Sequence, residues 1–395
     1  MTPDQLQNIV GHLIDQLETD TFREKARRTH SDFIRDRRLP LKDLILLLLS
    51  NMTSSIDHEL FRYLPEQDMP VSAAAFCKQR DKLNPEALAY LNRLMVNQVP
   101  EQRRNGLRWL AIDGTTLNLP NHVSTCQVFG LTANAKRPQA RLSQLLDLSN
   151  KLTLDIQISP LGTGERALAQ RHADVCKPGD LILADRGYSG AAMYQYWYDR
   201  EIDFCIRVPI SQSHPYYRFY GSGQTEQEIT LPECSQPVRL VRVPLEAGED
   251  EVLVTSLLDQ EQWPAEYFKE IYFARWGIEE DYKTLKSRLQ IEQFSGKKVQ
   301  AVLQDIYATV IHKNIVALTC QCAQHQVDGR IKKHPYKVNF TQAARLVKWF
   351  WWQVIRGNWL ALVQHISRYA HAVRPGRHYS RMARKRQPPA SAYKQ

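Results

Sequence analysis

Two short apolar stretches that each run into an aspartate decide the fold: RWLAID at residues 108–113 and GDLILADRG at residues 179–187. Each contains the four or so consecutive apolar residues that are typical of a buried strand. A turn-forming segment follows each of them, so the sequence predicts that both strands end at the acid, Asp113 or Asp185. Strands followed by helices in this region indicate an α/β domain with a mixed sheet.

Further strands are predicted around these two. The segments ARLSQLLDLSN (140–150) and KLTLDIQISP (151–160) form two strands that meet at Asn150-Lys151. A helix from Ala191 to about Asp199 and a strand over Phe204–Pro209 come after the second acid. Residues 210–255 place glycine and proline between short β-rich stretches such as VRLVRVPL and EVLVTSLL, which predicts a β insertion.

The N-terminal segment, to about residue 100, is predicted to be helical. Its apolar residues recur at three- and four-residue spacing, and Ser72 and Asn84 are suitable helix caps. The short helices that carry Lys78, Arg80 and Lys82 suit a helix-turn-helix reader of DNA. A plain helical bundle explains the same pattern equally well, so both interpretations stay open.

From Pro264 onward the chain is predicted to be helical again, over Ala265–Leu289, Val299–Gln324 and Thr341–Tyr369. An Arg-rich tail with prolines follows, and we expect it to bind phosphates without sequence specificity, with a simple solvated tail as the alternative. The predicted domains are a helical DNA-binding domain over residues 1–105, a catalytic domain over 106–325 and a C-terminal helical region with a basic tail over 326–395.

Composition narrows the class of protein. The 395 residues carry a net charge of +10, and such a positive field favours a polyanionic partner, most often nucleic acid, although an ordinary basic protein remains possible. The seven cysteines are scattered without a zinc-ligand spacing, which argues against a disulfide framework. Without a long apolar run or a signal-like N-terminus, the expected location is the cytoplasm, with no membrane.

Asp113 and Asp185 share a context that has chemical meaning. In an α/β sheet, ligands bind in the crevice outside the strand ends. Carboxylates placed there without an evident counter-charge favour a cation, and two of them suit Mg²⁺ or Mn²⁺. Each aspartate could instead only cap a turn, and the pattern alone leaves this alternative open.

The helix predicted over Ala265–Leu289 carries a second pattern. At about 100° per residue, Tyr272, Arg275, Glu279 and Lys286 fall within an arc of about 60°, beside the apolar face of the helix. The carboxylate of Glu279, which lies within this arc, could complete a metal site with the two aspartates. Arg275 and Lys286 would hold neighbouring phosphates, and Tyr272 could hydrogen-bond a phosphate or stack on a sugar or base.

At these residues the sequence resembles the DDE transposases of the bacterial insertion-sequence IS-four family. Tyr272, Arg275, Glu279 and Lys286 reproduce that family's Tyr-x2-Arg-x3-Glu-x6-Lys signature in full. Asp113-Gly-Thr-Thr and Leu-Ala-Asp185-Arg-Gly-Tyr resemble the segments that hold its first two catalytic aspartates. The resemblance runs from roughly Phe22 to the basic tail.

The resemblance implies a fold and a reaction. The implied fold is a ribonuclease-H-like mixed-sheet catalytic core with a β-rich insertion, an N-terminal helical domain and a C-terminal helical region. The implied catalytic and metal-binding residues are Asp113, Asp185 and Glu279, with two Mg²⁺ ions for which Mn²⁺ could substitute. Tyr272, Arg275 and Lys286 are the implied DNA-phosphate-binding residues.

The implied function is cleavage of insertion-element ends and strand transfer into target DNA, by cut-and-paste with a possible hairpin intermediate. The expected partners are double-stranded DNA, both the terminal inverted repeats and the target, and a second copy of the chain in the DNA complex. The expected location is the bacterial cytoplasm, associated with the nucleoid. Two alternatives remain open: a nuclease with the same core but no strand transfer, and a non-catalytic DNA-binding regulator.

Overall fold

The computed structural model describes residues 1–35, 37–63, 71–131, 136–211, 216–244, 250–330 and 334–374. Most of the predicted basic tail therefore lies outside the described residues. The chain forms two compact units. We call them the helical unit, which comprises Met1–Val99, Asn118–Pro138 and Thr284–Gln395, and the sheet unit, which comprises Pro100–Leu117 and Gln139–Lys283. The predicted division at 1–105, 106–325 and 326–395 stays a prediction.

Eight strands are hydrogen-bonded into one sheet: β1 (Arg108–Asn118), β2 (Gln139–Asp147), β3 (Leu152–Pro160), β4 (Asp180–Ala184), β5 (Asp203–Arg207), β6 (Glu226–Ile229), β7 (Val238–Val243) and β8 (Glu251–Thr255). Their order is β3-β2-β1-β4-β5-β8-β7-β6. β4 is parallel to both β1 and β5, whereas β3, β6, β7 and β8 join antiparallel. The mixed sheet with the order 3-2-1-4-5 confirms the predicted ribonuclease-H-like fold class.

Burial explains the parallel centre of this sheet. All five residues of β4 are buried, and so are the first five of β1. Strands covered on both faces are apolar throughout, which is why these two segments read as continuous apolar runs in the sequence. The predicted β insertion adds β6, β7 and β8 to the edge of the same sheet through β5.

The prediction that the first strand ends at Asp113 is wrong. β1 continues to Asn118, and only its parallel pairing with β4 ends near the acid, at the couple Ala111 and Leu183. The sequence Gly-Thr-Thr after Asp113 was interpreted as a turn, but threonine is favoured in strands. β4 does end at Ala184, one residue before Asp185.

The described residues contain sixteen α-helices, numbered in chain order. They are α1 (Pro3–Gln16), α2 (Asp20–Ala26), α3 (Leu41–Leu49), α4 (Ile56–Tyr63), α5 (Ala73–Arg80), α6 (Glu86–Val96), α7 (Val123–Phe129), α8 (Glu165–His172), α9 (Ala191–Tyr198), α10 (Tyr217–Ser222), α11 (Tyr267–Ala274), α12 (Trp276–Lys283), α13 (Val299–Asp328), α14 (Phe340–Trp349), α15 (Trp351–Ile355) and α16 (Trp359–Ser367). None of the described helices is long and apolar enough to cross a membrane.

Two long helices predicted from the sequence are interrupted. The segment expected to be one helix over Ala265–Leu289 forms α11, α12 and a π-helical turn at Thr284–Arg288. The segment expected over Thr341–Tyr369 forms α14, α15 and α16. Apolar spacing reports which face of a helix is buried, and it cannot detect a change of hydrogen-bond register of the kind that a π-turn introduces.

In the helical unit, α13 is the central element. Most of its 30 residues are buried, including Asn314 and His312, because α1, α3, α6, α14 and α16 all pack against it. A helix that is covered on every side has no solvent face, which explains why its apolar residues show no stripe. A two-stranded sheet of β9 (Tyr336–Val338) and β10 (Ala370–Ala372) also belongs to this unit.

The N-terminal helices confirm one predicted cap and correct one predicted surface residue. Ser72 caps α5, since its Oγ accepts a hydrogen bond from the Ala75 N–H at 3.2 Å. Arg80 is buried, with 2% of its surface exposed. Its guanidinium donates to Gln304 Oε1 at 2.9 Å and to Asp305 Oδ1 at 3.0 Å. Arg80 therefore anchors α5 to α13 and is not available to a phosphate, whereas Lys78 is exposed.

Candidate active site

The register of two neighbouring strands brings Asp113 and Asp185 to the same level. The last parallel couple of β1 and β4 is Ala111 with Leu183, and each aspartate lies two residues further along its chain. Asp185 keeps an extended backbone after β4 ends. Side chains alternate along extended chains, and neighbouring strands lie about 4.8 Å apart. The two carboxylates therefore leave the sheet on the same face, from adjacent strands.

Hydrogen bonds hold both the side chain and the backbone carbonyl of Asp113. Its Oδ1 accepts a hydrogen bond from the Gly114 N–H at 2.8 Å. Its carbonyl oxygen accepts one from the Tyr282 hydroxyl at 2.6 Å, which ties α12 to β1 at this residue. Tyr282 follows Glu279 by three residues on α12, so this bond also fixes the part of the helix that carries the third acid.

Asp185 lies where the buried part of β4 gives way to an exposed turn. Its Oδ1 accepts from the Arg186 N–H at 2.7 Å and from the Tyr272 hydroxyl at 3.4 Å. The Arg207 guanidinium is 4.0 Å from the same oxygen and also pairs with Glu251 at 2.9 Å. The charges of Arg207 and Arg275 compensate this carboxylate only in part, because both cations are shared with other acids.

Arg275 links the signature residues on either side of it. It is only 3% exposed, and its Nη2 donates to Glu279 Oε1 at 3.1 Å. Its Cζ lies 5.3 Å from the centres of both the Tyr272 and the Trp276 rings, so the guanidinium is held between two aromatic faces. Its Nε is buried and has no hydrogen-bond partner among the described residues.

Tyr272 is buried on α11 and directs its hydroxyl to Asp185. Burial raises the pKa of this phenol well above its usual value, and the charges of Asp185 and Glu251 add to that rise. The hydroxyl therefore stays protonated and can only donate to the carboxylate. The contact joins the helix that carries the signature to the second aspartate.

The pKa of Asp113 responds to the charges of both other acids, Asp185 and Glu279. Burial raises the pKa of Asp113 to about 6, and the nearby charges of Glu279 and Asp185 contribute to the rise. The Gly114 hydrogen bond and the Arg275 charge act in the opposite direction. The negative charges of Asp185, Glu279 and Asp113 in turn raise the pKa of Arg275, although burial opposes them. A cation that approached this site would find excess negative charge.

No group of three or more His, Cys, Asp or Glu side chains within the described ranges is close enough together to hold a metal ion. The donor set nevertheless fits a hard divalent cation, because it consists of carboxylate oxygens, as Mg²⁺ and Mn²⁺ prefer. Asp113 is largely buried and would gain from a counter-charge, since its raised pKa reflects the cost of leaving it ionised.

Lys286 lies in the π-helical turn Thr284–Arg288, which belongs to the helical unit. It is half-buried, and burial lowers the pKa of its ammonium although Glu292 opposes the change. The predicted arc of four signature side chains assumed one regular helix, so the angle predicted for Lys286 does not hold past the π-turn. Its phosphate-binding role stays a prediction.

Sequence reasoning missed two residues of this site, Arg207 and Tyr282. Arg207 is the last residue of β5, the strand next to β4, so its place at a strand end beside an acid was the available signal. Tyr282 lies on the apolar face of its helix, where the sequence pattern predicts only packing. Its hydroxyl contact with the Asp113 carbonyl depends on how α12 packs on the sheet, which a sequence pattern does not contain.

The chain is similar to known proteins over most of its length. The family model described as the transposase DDE domain matches residues 104–314, which is more than half of the chain. The chain is 22% identical over 341 residues to the transposase InsG for insertion sequence element IS4 of Escherichia coli K12, covering 79% of this chain and 77% of that protein.

Among solved structures, the chain is similar to a piggyBac transposase synaptic complex with hairpin DNA, at 11% identity and a TM-score of 0.49, covering 95% of this chain and 86% of that one. The family match includes Asp113, Asp185 and Glu279 and ends within α13. The chain therefore belongs to the transposases with a DDE domain and, within them, to the IS-four family whose signature its sequence carries.

Proposed function

We propose that this transposase cuts the ends of an insertion element and joins them to target DNA by in-line phosphoryl transfer, at a site made of Asp113, Asp185 and Glu279. The observation that carries the proposal is that three acids from distant parts of the chain lie in one electrostatic neighbourhood, since the charges of Glu279 and Asp185 both act on Asp113. Two come from adjacent strands at one level, and the charge of the third reaches Asp113.

The proposed cofactor is a pair of Mg²⁺ ions, with Mn²⁺ as a substitute, held by the carboxylates of Asp113, Asp185 and Glu279. When bound, such ions activate the attacking oxygen and neutralise charge on the leaving oxygen. Asp113 must lose its proton before it can act as a ligand, and its raised pKa of about 6 makes this step sensitive to pH.

The neighbouring residues support the acids in different ways. Arg275 orients Glu279 through its hydrogen bond, and Tyr272 orients Asp185 through its hydroxyl. We propose that Tyr272, Arg275 and Lys286 also bind phosphates of the DNA strand beside the reacting one.

The proposed partners are double-stranded DNA, at the terminal repeats and at the target, and a second copy of the chain that brings two ends together. The net charge of +10 supports a DNA partner. A hairpin intermediate, in which the freed 3′-OH attacks the opposite strand, is part of this proposal, and the piggyBac complex with hairpin DNA is the related case.

The test uses an element-end duplex with Mg²⁺. Asp113→Ala, Asp185→Ala and Glu279→Gln should each abolish cleavage and joining, while binding of the duplex in a gel-shift assay remains. Full activity of any of the three variants would remove that residue from the site. Lys286→Ala should impair a step after the first nick, and an equal loss at nicking would contradict its proposed role.

The alternatives are distinguished by the products. Incubation with element ends, Mg²⁺ and a target plasmid should yield joined molecules. Cleaved ends without joined products would identify a nuclease with the same core. Binding without cleavage under any divalent ion would identify a regulator.

A further inference from the structure

One acidic side chain near the proposed active site, Glu165 on α8, has no role in the function proposed above. A Cβ added at Gly187 would lie 2.3 Å from its Oε2, and a Cβ added at Gly114 would lie 3.8 Å from its Oε1. Gly114 follows Asp113 directly, and Gly187 follows Asp185 by two residues. One carboxylate therefore lies against the backbone of both segments that carry the aspartates.

Contacts with β2 and with the turn after Asp185 hold Glu165 in place. Arg141 of β2 places its Nη1 3.4 Å from Glu165 Oε1 and also donates to the Thr163 carbonyl at 3.3 Å. The next residue, Arg166, donates from Nε to the Gly187 carbonyl at 3.4 Å. The start of α8 is thus attached to β2 and to the turn after Asp185.

The other end of α8 is anchored in the core. His172, its last residue, is fully buried. Its Nε2 lies 3.0 Å from Ser143 Oγ on β2, and its Nδ1 lies 2.8 Å from Asp155 Oδ2 on β3. A helix of eight residues held at both ends can move little, so it presents Glu165 at a defined place.

A buried tyrosine closes the same cluster. The Tyr188 hydroxyl would lie 3.8 Å from a Cβ at Gly114, as Glu165 Oε1 would. Tyr188 is 2% exposed and immediately follows Gly187. The pKa of this phenol is raised by burial first, and then by the charges of Asp113 and Glu165. Asp113, Glu165 and Tyr188 therefore lie close enough to influence one another.

The side on which Glu165 lies decides what it can do. Successive residues of β1 point to opposite faces of the sheet, so the empty position at Gly114 faces away from the Asp113 side chain. Glu165 contacts the strand at that empty position and lies behind the Asp113 carboxylate. A simple surface ion pair with Arg141 would not require a glycine at position 187 to leave room for it.

We propose that Glu165 is a positioning residue, which packs against Gly114 and Gly187 and keeps the Asp113 and Asp185 carboxylates at one level for divalent-ion binding. This inference rests on the proposed function, because it takes those two aspartates as the ligands. In this inference, α8 fixes the distance between Asp113 and Asp185, which lie beyond the last paired residues of β1 and β4.

The first test measures ion binding and activity in the full-length protein. Glu165→Ala should weaken Mn²⁺ binding in calorimetry and slow nicking of an element-end duplex by about 10–100-fold, as removal of a ligand-orienting partner does. Binding of the duplex should not change. Glu165→Gln keeps the shape and should recover part of the loss.

The matched control is Glu101→Ala. Glu101 also pairs with arginines of the sheet unit, Arg103 and Arg108, but at the start of β1, away from Asp113. This variant should keep wild-type Mn²⁺ affinity and nicking. Wild-type values for both Glu165 variants would overturn the inference, and so would an equal loss in Glu101→Ala.

The second test uses the close approach at Gly187. Gly187→Ala should displace the Glu165 carboxylate, the far end of a flexible side chain, and reproduce the loss of Mn²⁺ affinity. In the double variant Gly187→Ala/Glu165→Ala the collision is absent, so its affinity should equal that of Glu165→Ala alone. Additive losses would overturn the inference. If Asp113→Ala kept full activity, the proposed function would fail first, which separates the two outcomes.

Discussion

At the scale of single residues, the surroundings of Asp113 make its carboxylate costly to ionise. Asp113 has the pKa of about 6 because burial, with two like charges nearby, outweighs one hydrogen bond and one cation. The sequence indicated which aspartates to choose, since both follow apolar runs. It could not indicate the shift, which depends on packing against α12 and on the neighbouring strand.

Asp113→Asn should stabilise the metal-free protein above pH 6. The folded pKa is raised above the unfolded value of about 3.9, so the stability associated with this proton is present below pH 4 and lost as pH rises through about 6. Asparagine does not ionise, so the variant does not lose this stability as the pH rises. After allowance for partial exposure, thermal melts in EDTA at pH 8 should show a melting temperature higher by roughly 2–4 °C.

The same comparison at pH 4 is the control for Asp113→Asn, because wild-type protein is protonated there and the difference should vanish. Adding Mn²⁺ at pH 8 should raise the melting temperature of the wild type more than that of the variant. A difference that does not depend on pH would contradict the assignment.

His312→Asn should make the protein more resistant to acid. Burial lowers the pKa of His312 to about 4, while its Nδ1 bonds to the Leu49 carbonyl at 2.9 Å. A depressed pKa means that stability is complete above the unfolded value near 6.5 and falls as pH drops to 4. For a fully buried histidine the loss is on the order of 3 kcal/mol.

Asparagine can keep the donor to Leu49 without titrating. Urea melts of the wild type and the His312→Asn variant at pH 7.5 and pH 4.5 measure the effect. An equal decrease in both proteins would show that other groups govern acid unfolding.

At the scale of elements, the sequence predicted the strands of the central sheet well and the helices less well. The apolar runs at β1 and β4 are local signals of burial. The breaks between α11, α12 and the π-turn leave apolar spacing almost unchanged, so periodicity could not reveal them. Glu165 escaped notice for a similar reason, since its contacts join α8 to two segments far away in the chain.

Arg80→Ala should destabilise the helical unit rather than weaken DNA binding directly. Arg80 is a buried cation that links α5 to α13 through Gln304 and Asp305, and its removal leaves the Asp305 carboxylate without its guanidinium partner. Breaking a buried pair in this way costs about 3–5 kcal/mol. Chemical denaturation measures the change in the free energy of unfolding.

Lys78→Ala is the control for Arg80→Ala, because Lys78 lies on the same helix but is exposed. It should change the free energy of unfolding by less than about 0.5 kcal/mol. If Lys78→Ala and Arg80→Ala reduced duplex affinity equally without any change in unfolding, the buried role of Arg80 would be wrong.

At the scale of the whole molecule, the sequence identified an α/β core with helical segments before and after it. It could not show that the segments before and after the core pack into one unit around α13, because those contacts join residues more than 200 positions apart. The predicted catalytic domain, residues 106–325, ends inside α13.

A fragment of residues 106–325 should not fold as a stable monomer. It would contain most of α13 but neither the N-terminal helices α1, α3 and α6 nor the C-terminal α14 and α16 that cover it. Burying that apolar surface contributes roughly 25 cal/mol per Å². We expect aggregation in size-exclusion chromatography, with a fragment of 100–283 as the comparison. A monomeric, cooperatively melting 106–325 fragment would contradict this expectation.

Each of the two units is made of separate segments of the chain, and this sets the order in which the units can fold during synthesis. All residues of the sheet unit have been made once the ribosome passes residue 283, whereas α13 meets α14 and α16 only after residue 367. The N-terminal helices must therefore wait, with their apolar faces uncovered, while the sheet unit forms behind them. Nascent chains stalled between these two points should be the ones that chaperones bind most.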